Sequence, residues 1–206
     1  MVVSRPRQQR AQQTRRQICA AGKQLFLARG YASTTITDIA RAARVAPQTV
    51  YFVFGSKAGL LSAILDYEIV GDVEPVPLLQ RPPVRRAEQI RDPVRHLQRV
   101  VGIAAEITQR LAPLYEIVRS GAADPDIALL LDRHEEQRWR SLHGLVSPLD
   151  GALASGLELE QAVDLLYALL SHEMYWLFVH RRRWSDTRWR QYVATEAVRQ
   201  LLPTRG

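Results

Sequence analysis

The 206-residue sequence contains a single cysteine, Cys19. One cysteine excludes an internal disulfide and argues against a cysteine-based metal site, so we expect it to be a small, at least half-buried filler on a helix. No apolar run reaches the roughly 18–20 residues that a membrane-spanning helix needs. The segment Met1 to Arg16 is polar and rich in arginine, without the apolar centre of a signal peptide. These absences favour a cytosolic chain.

Sequence motifs for catalysis are also missing. The chain has no HExxH, no Walker loop and no Gly-x-Ser-x-Gly elbow. Asp132, His134 and Glu135 are close in sequence, but they do not form the i, i+4 pair that a helical metal site needs. Ser141 and His143 have no third partner at a suitable spacing. The sequence therefore predicts no enzyme activity, no metal ion and no cofactor.

Positive charge is concentrated at the start of the chain. Residues 1–57 contain ten Lys or Arg residues and one acidic residue, a net charge of +9. The remaining residues contain 18 basic and 20 acidic residues, a net charge of −2. A basic module followed by a nearly neutral one indicates a polyanionic partner for the first module. A membrane-surface helix is the alternative, but the apolar stripe of the first helix is narrow.

The segment from Thr35 to Leu60 has apolar residues at helical spacing in two sets separated by a short break. This pattern predicts two short helices joined by a tight turn, a helix-turn-helix. Thr35 and Asp38 form a variant capping box that starts the first helix. Pro47 cannot continue that helix but suits the first turn of the next.

Within this segment, Thr35-Ile36-Thr37-Asp38-Ile39-Ala40, Ala43-Arg44-Val45, Thr49-Val50-Tyr51 and Phe54-Gly55-Ser56-Lys57 follow one another in order. This order resembles the TetR family of bacterial one-component repressors, over about a quarter of the chain. The resemblance implies a DNA-binding module and a helical regulatory domain. Arg44 stands where the family usually has glycine, so it must strain or alter the turn. Val53 replaces the family's usual aromatic or histidine.

The second helix of a helix-turn-helix lies in the major groove with its N-terminal residues at base edges. Gln48 suits adenine, and Pro47 suits a thymine methyl group. The resemblance implies backbone contacts by Tyr51 and Lys57, and we expect a phosphate contact by Thr37 and a partly exposed position for Phe52 near the groove. The predicted DNA-binding set is Thr37, Arg44, Pro47, Gln48, Thr49, Tyr51, Phe52 and Lys57.

The chain is expected to have three parts. Residues 1–13 form a flexible basic arm, which either enters a minor groove or remains a solvated tail. Residues 14–57 form a three-helix bundle with the helix-turn-helix. Residues 58–206 form a larger helical ligand-binding and dimerisation domain, with a proline-rich loop at residues 71–83.

Beyond this loop the apolar periodicity is helical and no window alternates as a strand does, so the sequence predicts an all-α fold. A helix is expected from Asp92-Pro93 to Arg110, bent or broken at Pro113 and continued from Leu114 to Ser120. Further helices are expected over residues 126–146, 160–180 and 186–202. The helix over residues 160–180 is apolar nearly all round and must be covered on several sides. The resemblance implies a homodimer through the last two helices, and a monomer with one thick core is the alternative.

Regulatory domains of this family enclose a pocket between helices, and the resemblance implies one here for a small, largely apolar effector of unknown identity. The predicted lining residues are Val101, Leu114, Tyr115, Val118, Trp139, His143, Tyr167, His172 and Trp176, each of which is also compatible with simple core packing. The sequence thus predicts a cytoplasmic DNA-binding protein, and the resemblance implies a repressor that a small molecule releases from a pseudo-palindromic operator. A ligand-independent or activating protein of the same fold is the alternative.

Overall fold

The computed structural model describes residues 5–71 and 76–203, with side chains from residue 9 onward. The described residues are mainly helical and include no strand, which confirms the predicted all-α class. The α-helices are α1 (Arg5–Arg29), α2 (Ile36–Ala42), α3 (Pro47–Phe54), α4 (Lys57–Val70), α5 (Pro82–Glu88), α6 (Pro93–Ser120), α7 (Pro125–Val146), α8 (Leu159–Leu169), α9 (His172–Tyr175) and α10 (Asp186–Leu201). Two 3₁₀ turns, Leu78–Gln80 and Ser147–Ala152, and a π-helical turn, Trp176–Arg181, complete them.

The chain divides into two compact units. The first unit comprises Met1–Pro75 and Pro113–Asp132, and the second comprises Val76–Ala112 and Arg133–Gly206. In the first unit α2 and α4 pack on α1, and α3 packs on α2 and α4. Its large, fully buried side chains include Ile18, Phe26, Ile39, Leu60, Leu61 and Ile64. Cys19 is also buried, as predicted, and burial raises the pKa of its thiol to about 11.

Local capping residues set the helix ends of the first unit. Gly30 ends α1 with a positive φ of 77°, a conformation that favours glycine. The Thr35 hydroxyl accepts from the Asp38 backbone N–H at 3.1 Å and donates to the Asp38 carboxylate at 2.7 Å, which confirms the predicted start of α2. The Ser56 side chain caps α4 by accepting from the Gly59 N–H at 3.0 Å.

The first unit differs from the predicted division in two places. Helix α1 begins at Arg5, so residues 5–13 continue a helix where a flexible arm was predicted. The segment is rich in glutamine, arginine and alanine, which favour helix, and Pro6 lies in the first turn, where proline is tolerated. Residues 1–4 of that arm lie outside the described residues. Helix α4 and residues Pro113–Asp132 belong to the first unit, although the boundary was expected after residue 57 and residues 58–206 were expected to form one domain.

Two proline-containing segments are more helical than predicted. The expected loop over residues 71–83 includes a 3₁₀ turn and the start of α5 at Pro82, because proline suits the first turn of a helix; its residues 72–75 lie outside the described residues. Helix α6 continues through Pro113, so the break that was one of the two predicted alternatives is wrong, and a bend there stays a prediction. The missing N–H costs one backbone hydrogen bond, and the buried side chains of Leu111, Leu114 and Val118 hold the helix in place on both sides.

The second unit has its own core, which includes Leu97, Val101, Leu142, Leu166, Trp189 and Val193. The predicted helix over residues 160–180 is interrupted in this unit. The Ser171 side chain accepts from the Met174 N–H at 3.1 Å and starts α9. The Thr108 hydroxyl donates to the Leu170 carbonyl at 2.9 Å, so this carbonyl at the break is satisfied from α6.

Two features are absent from the part of the chain that the structure describes. No single helix is both long and apolar enough to cross a membrane. Helices α3 and α4 together have the length and apolar composition, but the pair is bent by 66° at the break between them. Within residues 5–71 and 76–203, no three His, Cys, Asp or Glu side chains are grouped as metal ligands.

Candidate nucleic-acid interface

The turn before α3 contains a strained residue. Arg44 has a φ of +56°, a left-handed conformation that costs a non-glycine residue about 1–2 kcal/mol. The sequence predicted that this arginine must strain or alter the turn, and the structure shows the strain. Its side chain is exposed. Ala46 then precedes Pro47, and no side chain caps the N-terminus of α3.

One face of α3 is exposed and the opposite face is buried. Gln48, Tyr51 and Phe52 are spaced three and four residues apart, so they lie on the same side of the helix. Tyr51 is 54% exposed and Phe52 is 92% exposed, whereas Val50 is fully buried. Phe52 is thus far more exposed than the partial exposure predicted for it. This face offers an amide, a hydroxyl and an apolar ring to a partner.

The other predicted contact residues of the helix-turn-helix differ in exposure. Thr37 is exposed near the start of α2, where its hydroxyl is available to a phosphate. Pro47 and Thr49 are half-buried in the first turn of α3. Contact of Pro47 with a thymine methyl group, and of the Thr49 hydroxyl with a phosphate or a base edge, stay predictions.

Lys57 is engaged within the chain. Its ammonium Nζ donates to the carbonyl oxygens of Tyr31 at 3.0 Å and Thr34 at 3.1 Å. The same nitrogen lies 4.1 Å from the centre of the Tyr31 ring, a cation–π contact. Lys57 therefore connects the start of α4 to the α1–α2 connection. At most one of its three N–H donors remains for the predicted contact with the DNA backbone.

Three further basic residues of this unit also have partners. Lys23 pairs with Glu68 at 2.8 Å, and Arg41 pairs with Asp38 at 3.2 Å. The hydrogen bond from the Thr35 hydroxyl lowers the pKa of Asp38, and the charge of Arg41 lowers it further. The Arg15 guanidinium lies 4.8 Å from the centre of the Phe54 ring. Asp38 is already counted in the net charge of +9, so of these three contacts only the pair of Lys23 with Glu68 neutralises a further positive charge of residues 1–57.

The residues predicted to line an effector pocket are divided between the units. Leu114 and Val118 are buried and Tyr115 is half-buried in the first unit. In the second unit Val101 and His172 are buried, and Trp176 is half-buried. The Trp139 indole N–H donates to Asp164 at 2.8 Å, and its ring lies 5.3 Å from that of His143. Their role in ligand binding stays a prediction.

A polar cluster in the second unit joins Tyr167, one of these residues, to Glu135 and Arg138, which were not predicted to line the pocket. The Tyr167 hydroxyl and the Arg138 guanidinium donate to the Glu135 carboxylate at 2.5 Å and 2.8 Å. Arg138 also donates to the Tyr167 carbonyl and lies 4.0 Å from its ring centre. Glu135 and Arg138 lie on the same face of α7 as Trp139 and Leu142. A charged pair on this apolar helix face was the feature of the sequence from which the cluster could have been predicted.

Burial and charge shift the acid–base properties of this cluster. Burial raises the pKa of Glu135, but hydrogen bonds from Tyr167 and Arg138 outweigh it, and the net pKa is lowered. Burial raises the pKa of Tyr167 to about 12. Burial lowers the pKa of His172 to about 4, and the nearby charge of Arg138 acts in the same direction. The cluster therefore holds a carboxylate and a neutral imidazole at pH 7.

An open groove occurs elsewhere in the second unit. It has a volume of about 640 Å³ and is lined by Asp92, Val94, Arg95, Gln98, Val198, Arg199, Leu202 and Pro203. None of the predicted effector-contacting residues belongs to this lining.

Comparison with known proteins identifies the family. Residues 18–64, which contain the whole helix-turn-helix, match the model of the tetR family of bacterial regulatory proteins. The helix-turn-helix module of this chain therefore belongs to the TetR family. The chain is 46% identical over 56 residues to the HTH-type transcriptional regulator TtgR of Pseudomonas putida. This alignment covers 27% of the chain and only 27% of TtgR.

Other similarities extend over most of the chain. It is 29% identical over 181 residues to the HTH-type transcriptional regulator UidR of Escherichia coli, covering 80% of the chain and 83% of UidR. The fold matches NalD, a repressor of a multidrug efflux pump in Pseudomonas aeruginosa, with a TM-score of 0.68 at 22% identity, covering 94% and 98%. It also matches SmeT in complex with triclosan, with a TM-score of 0.72 at 17% identity, covering 93% of each chain.

These relatives are described as transcriptional regulators or, for NalD, as a repressor. That description agrees with the prediction that the chain is not an enzyme.

Proposed function

We propose that this TetR-family chain is a sequence-specific DNA-binding regulator of transcription that acts as a repressor. The observation that carries the proposal is the exposed face of α3, where Gln48, Tyr51 and Phe52 point away from the core. Arg44 is exposed in the turn just before it. This face enters the major groove, and Thr37 and Arg44 contact phosphates beside it.

The regulator acts as a homodimer on a pseudo-palindromic operator. Two copies of α3 are needed to read two half-sites one helical turn apart. Exposed leucines support an interface through the C-terminal helices: Leu165 on α8 is 39% exposed and Leu177 in the π-helical turn is 47% exposed. The alternative is that both leucines are ordinary exposed residues of a monomer. The molecular mass in solution distinguishes the dimer from the monomer.

A small, largely apolar effector releases the operator. The triclosan bound to SmeT supports this class of ligand for the present chain. The effector binds the helical regulatory part of the chain, and α4 shifts in response. The two recognition helices then lose the spacing that fits one face of the DNA, and affinity falls because the ligand favours the other state. The regulator works in the cytoplasm.

The test begins with selection of binding sites from a randomised DNA library by the unaltered protein. Binding to the selected duplex is then measured across a salt series with unrelated DNA as competitor. Gln48→Ala should cost about 1–3 kcal/mol and relax specificity at one position. Gln137→Ala is the matched control, because Gln137 is an exposed glutamine on α7 in the second unit. Failure to enrich any sequence would refute the proposal.

A further inference from the structure

Phe52 is exposed to an extent that folding does not explain. Its ring is 92% exposed, the largest exposure among the described large apolar side chains. We propose that Phe52 determines specificity for thymine, by contact of its ring with the C5-methyl group in the major groove. This inference rests on the proposed function, since it assigns one base reader within the proposed DNA-binding face.

The ring chemistry narrows what Phe52 can read. A phenyl ring has no hydrogen-bonding atom, so it cannot satisfy a phosphate oxygen or a polar group on a base. Among the base-pair edges exposed in the major groove, the apolar group is the C5-methyl of thymine. Phe54 has a different environment, because its ring is half-buried and is covered by the Arg15 guanidinium at 4.8 Å. Of the two phenylalanines of α3, only Phe52 is presented to a partner.

The position of Phe52 on the helix predicts where the thymine lies. Phe52 follows Gln48 by four residues, about 6 Å along the helix axis and on the same face. Successive base pairs are about 3.4 Å apart along DNA. A methyl group read by Phe52 therefore belongs to a base pair about two steps from the base read by Gln48. Tyr51, which is 54% exposed on the same face, carries a hydroxyl and suits a polar partner better.

The experiment removes the methyl group without changing base pairing. In one half-site of the duplex selected by the unaltered protein, each thymine is replaced in turn by deoxyuridine, and the Kd is measured for each duplex. We expect one thymine at which the unaltered protein loses about fourfold in affinity, the ratio that corresponds to burial of one methyl group. For Phe52→Ala the ratio at that thymine should be close to one. Phe52→Leu should keep part of the dependence, because it retains an apolar side chain.

Leu27→Ala is the matched control, because Leu27 is an apolar side chain on α1 that is 44% exposed. It should keep the fourfold dependence on the methyl group. Both residues are exposed, so circular dichroism should show unchanged folding for Phe52→Ala and for the control.

Three outcomes would overturn the inference. If Phe52→Ala keeps the fourfold dependence, another residue reads the methyl group. If no thymine of the selected site is methyl-sensitive in the unaltered protein, Phe52 does not read thymine. If the unaltered protein selects no sequence, the proposed function fails and the inference fails with it. The first two outcomes leave the proposed function intact, so the two failures are distinguishable.

Discussion

The contacts of Lys57 predict that its substitution weakens the fold of the helix-turn-helix itself. Lys57→Met keeps most of the aliphatic stem and removes the ammonium that donates to the Tyr31 and Thr34 carbonyls. A hydrogen bond from a charged donor contributes about 1.5–3 kcal/mol. Because the site is only part-buried and water can replace the ammonium, we expect a total loss of about 2 kcal/mol rather than the sum of two such bonds.

The assay must report on the first unit alone. The four tryptophans, Trp139, Trp176, Trp184 and Trp189, all belong to the second unit, so intrinsic tryptophan fluorescence would not detect the change. Amide hydrogen exchange of peptides covering residues 31–43 is the suitable measurement. A loss of about 2 kcal/mol corresponds to about 30-fold faster exchange.

Arg41→Met is the matched control for the Lys57 variant. The Arg41 side chain is 75% exposed and pairs with Asp38 across one helical turn, and such solvent-exposed ion pairs contribute little to stability. Its exchange should rise by about twofold at most. Equal exchange in the two variants would refute the reasoning. If Lys57→Met instead leaves exchange unchanged and lowers the salt slope of DNA binding by about one unit, Lys57 is mainly a phosphate contact.

Three further predictions concern single side chains. Thr108→Val leaves the buried Leu170 carbonyl without its hydrogen-bond donor and should lower the free energy of unfolding by about 1–3 kcal/mol. Urea denaturation followed by tryptophan fluorescence measures this loss, and Thr195→Val, at an exposed threonine, is the control. Equal denaturation midpoints for the two variants would contradict the prediction. Arg44→Gly should be about 1 kcal/mol more stable than Arg44→Ala, because glycine adopts the positive φ of this position without steric strain. Hydrogen exchange of the first unit measures the difference, and equal exchange in the two variants would show that the strain is absent. Between pH 6.5 and about 4 the unfolded chain binds a proton at His172 that the folded chain does not. The free energy of unfolding should therefore fall by about 3 kcal/mol as the pH drops through this range. In urea denaturation at several pH values, His172→Gln should lack this part of the pH dependence.

The elements that sequence reasoning predicted well are those fixed by neighbouring residues. Thr35 with Asp38, Pro47 and Gly30 each act within a few residues, so the ends of α1, α2 and α3 could be read directly. The strain at Arg44 was also visible, because it stands where the family has glycine.

The features that could not be predicted depend on residues far apart in the chain. The break before α9 involves Thr108, which is 62 residues from Leu170. The hydrogen bond between Tyr167 and Glu135 spans 32 residues. Lys57 reaches carbonyls 23 and 26 residues earlier, so its assignment to phosphate alone missed its contact within the fold. Sequence periodicity gives no information about such partners, because it describes one helix at a time.

In the helix-turn-helix, the residues that stabilise the fold are different from the residues proposed to read DNA. Val50 is fully buried and Lys57 binds two carbonyls, so both support the fold. Gln48 and Phe52 lie on the exposed face and are free to change without loss of packing. Substitution of Gln48 or Phe52 should therefore change the selected DNA sequence while hydrogen exchange of the first unit stays the same. Substitution of Lys57 should instead increase hydrogen exchange of the first unit, because two hydrogen bonds that stabilise it are lost.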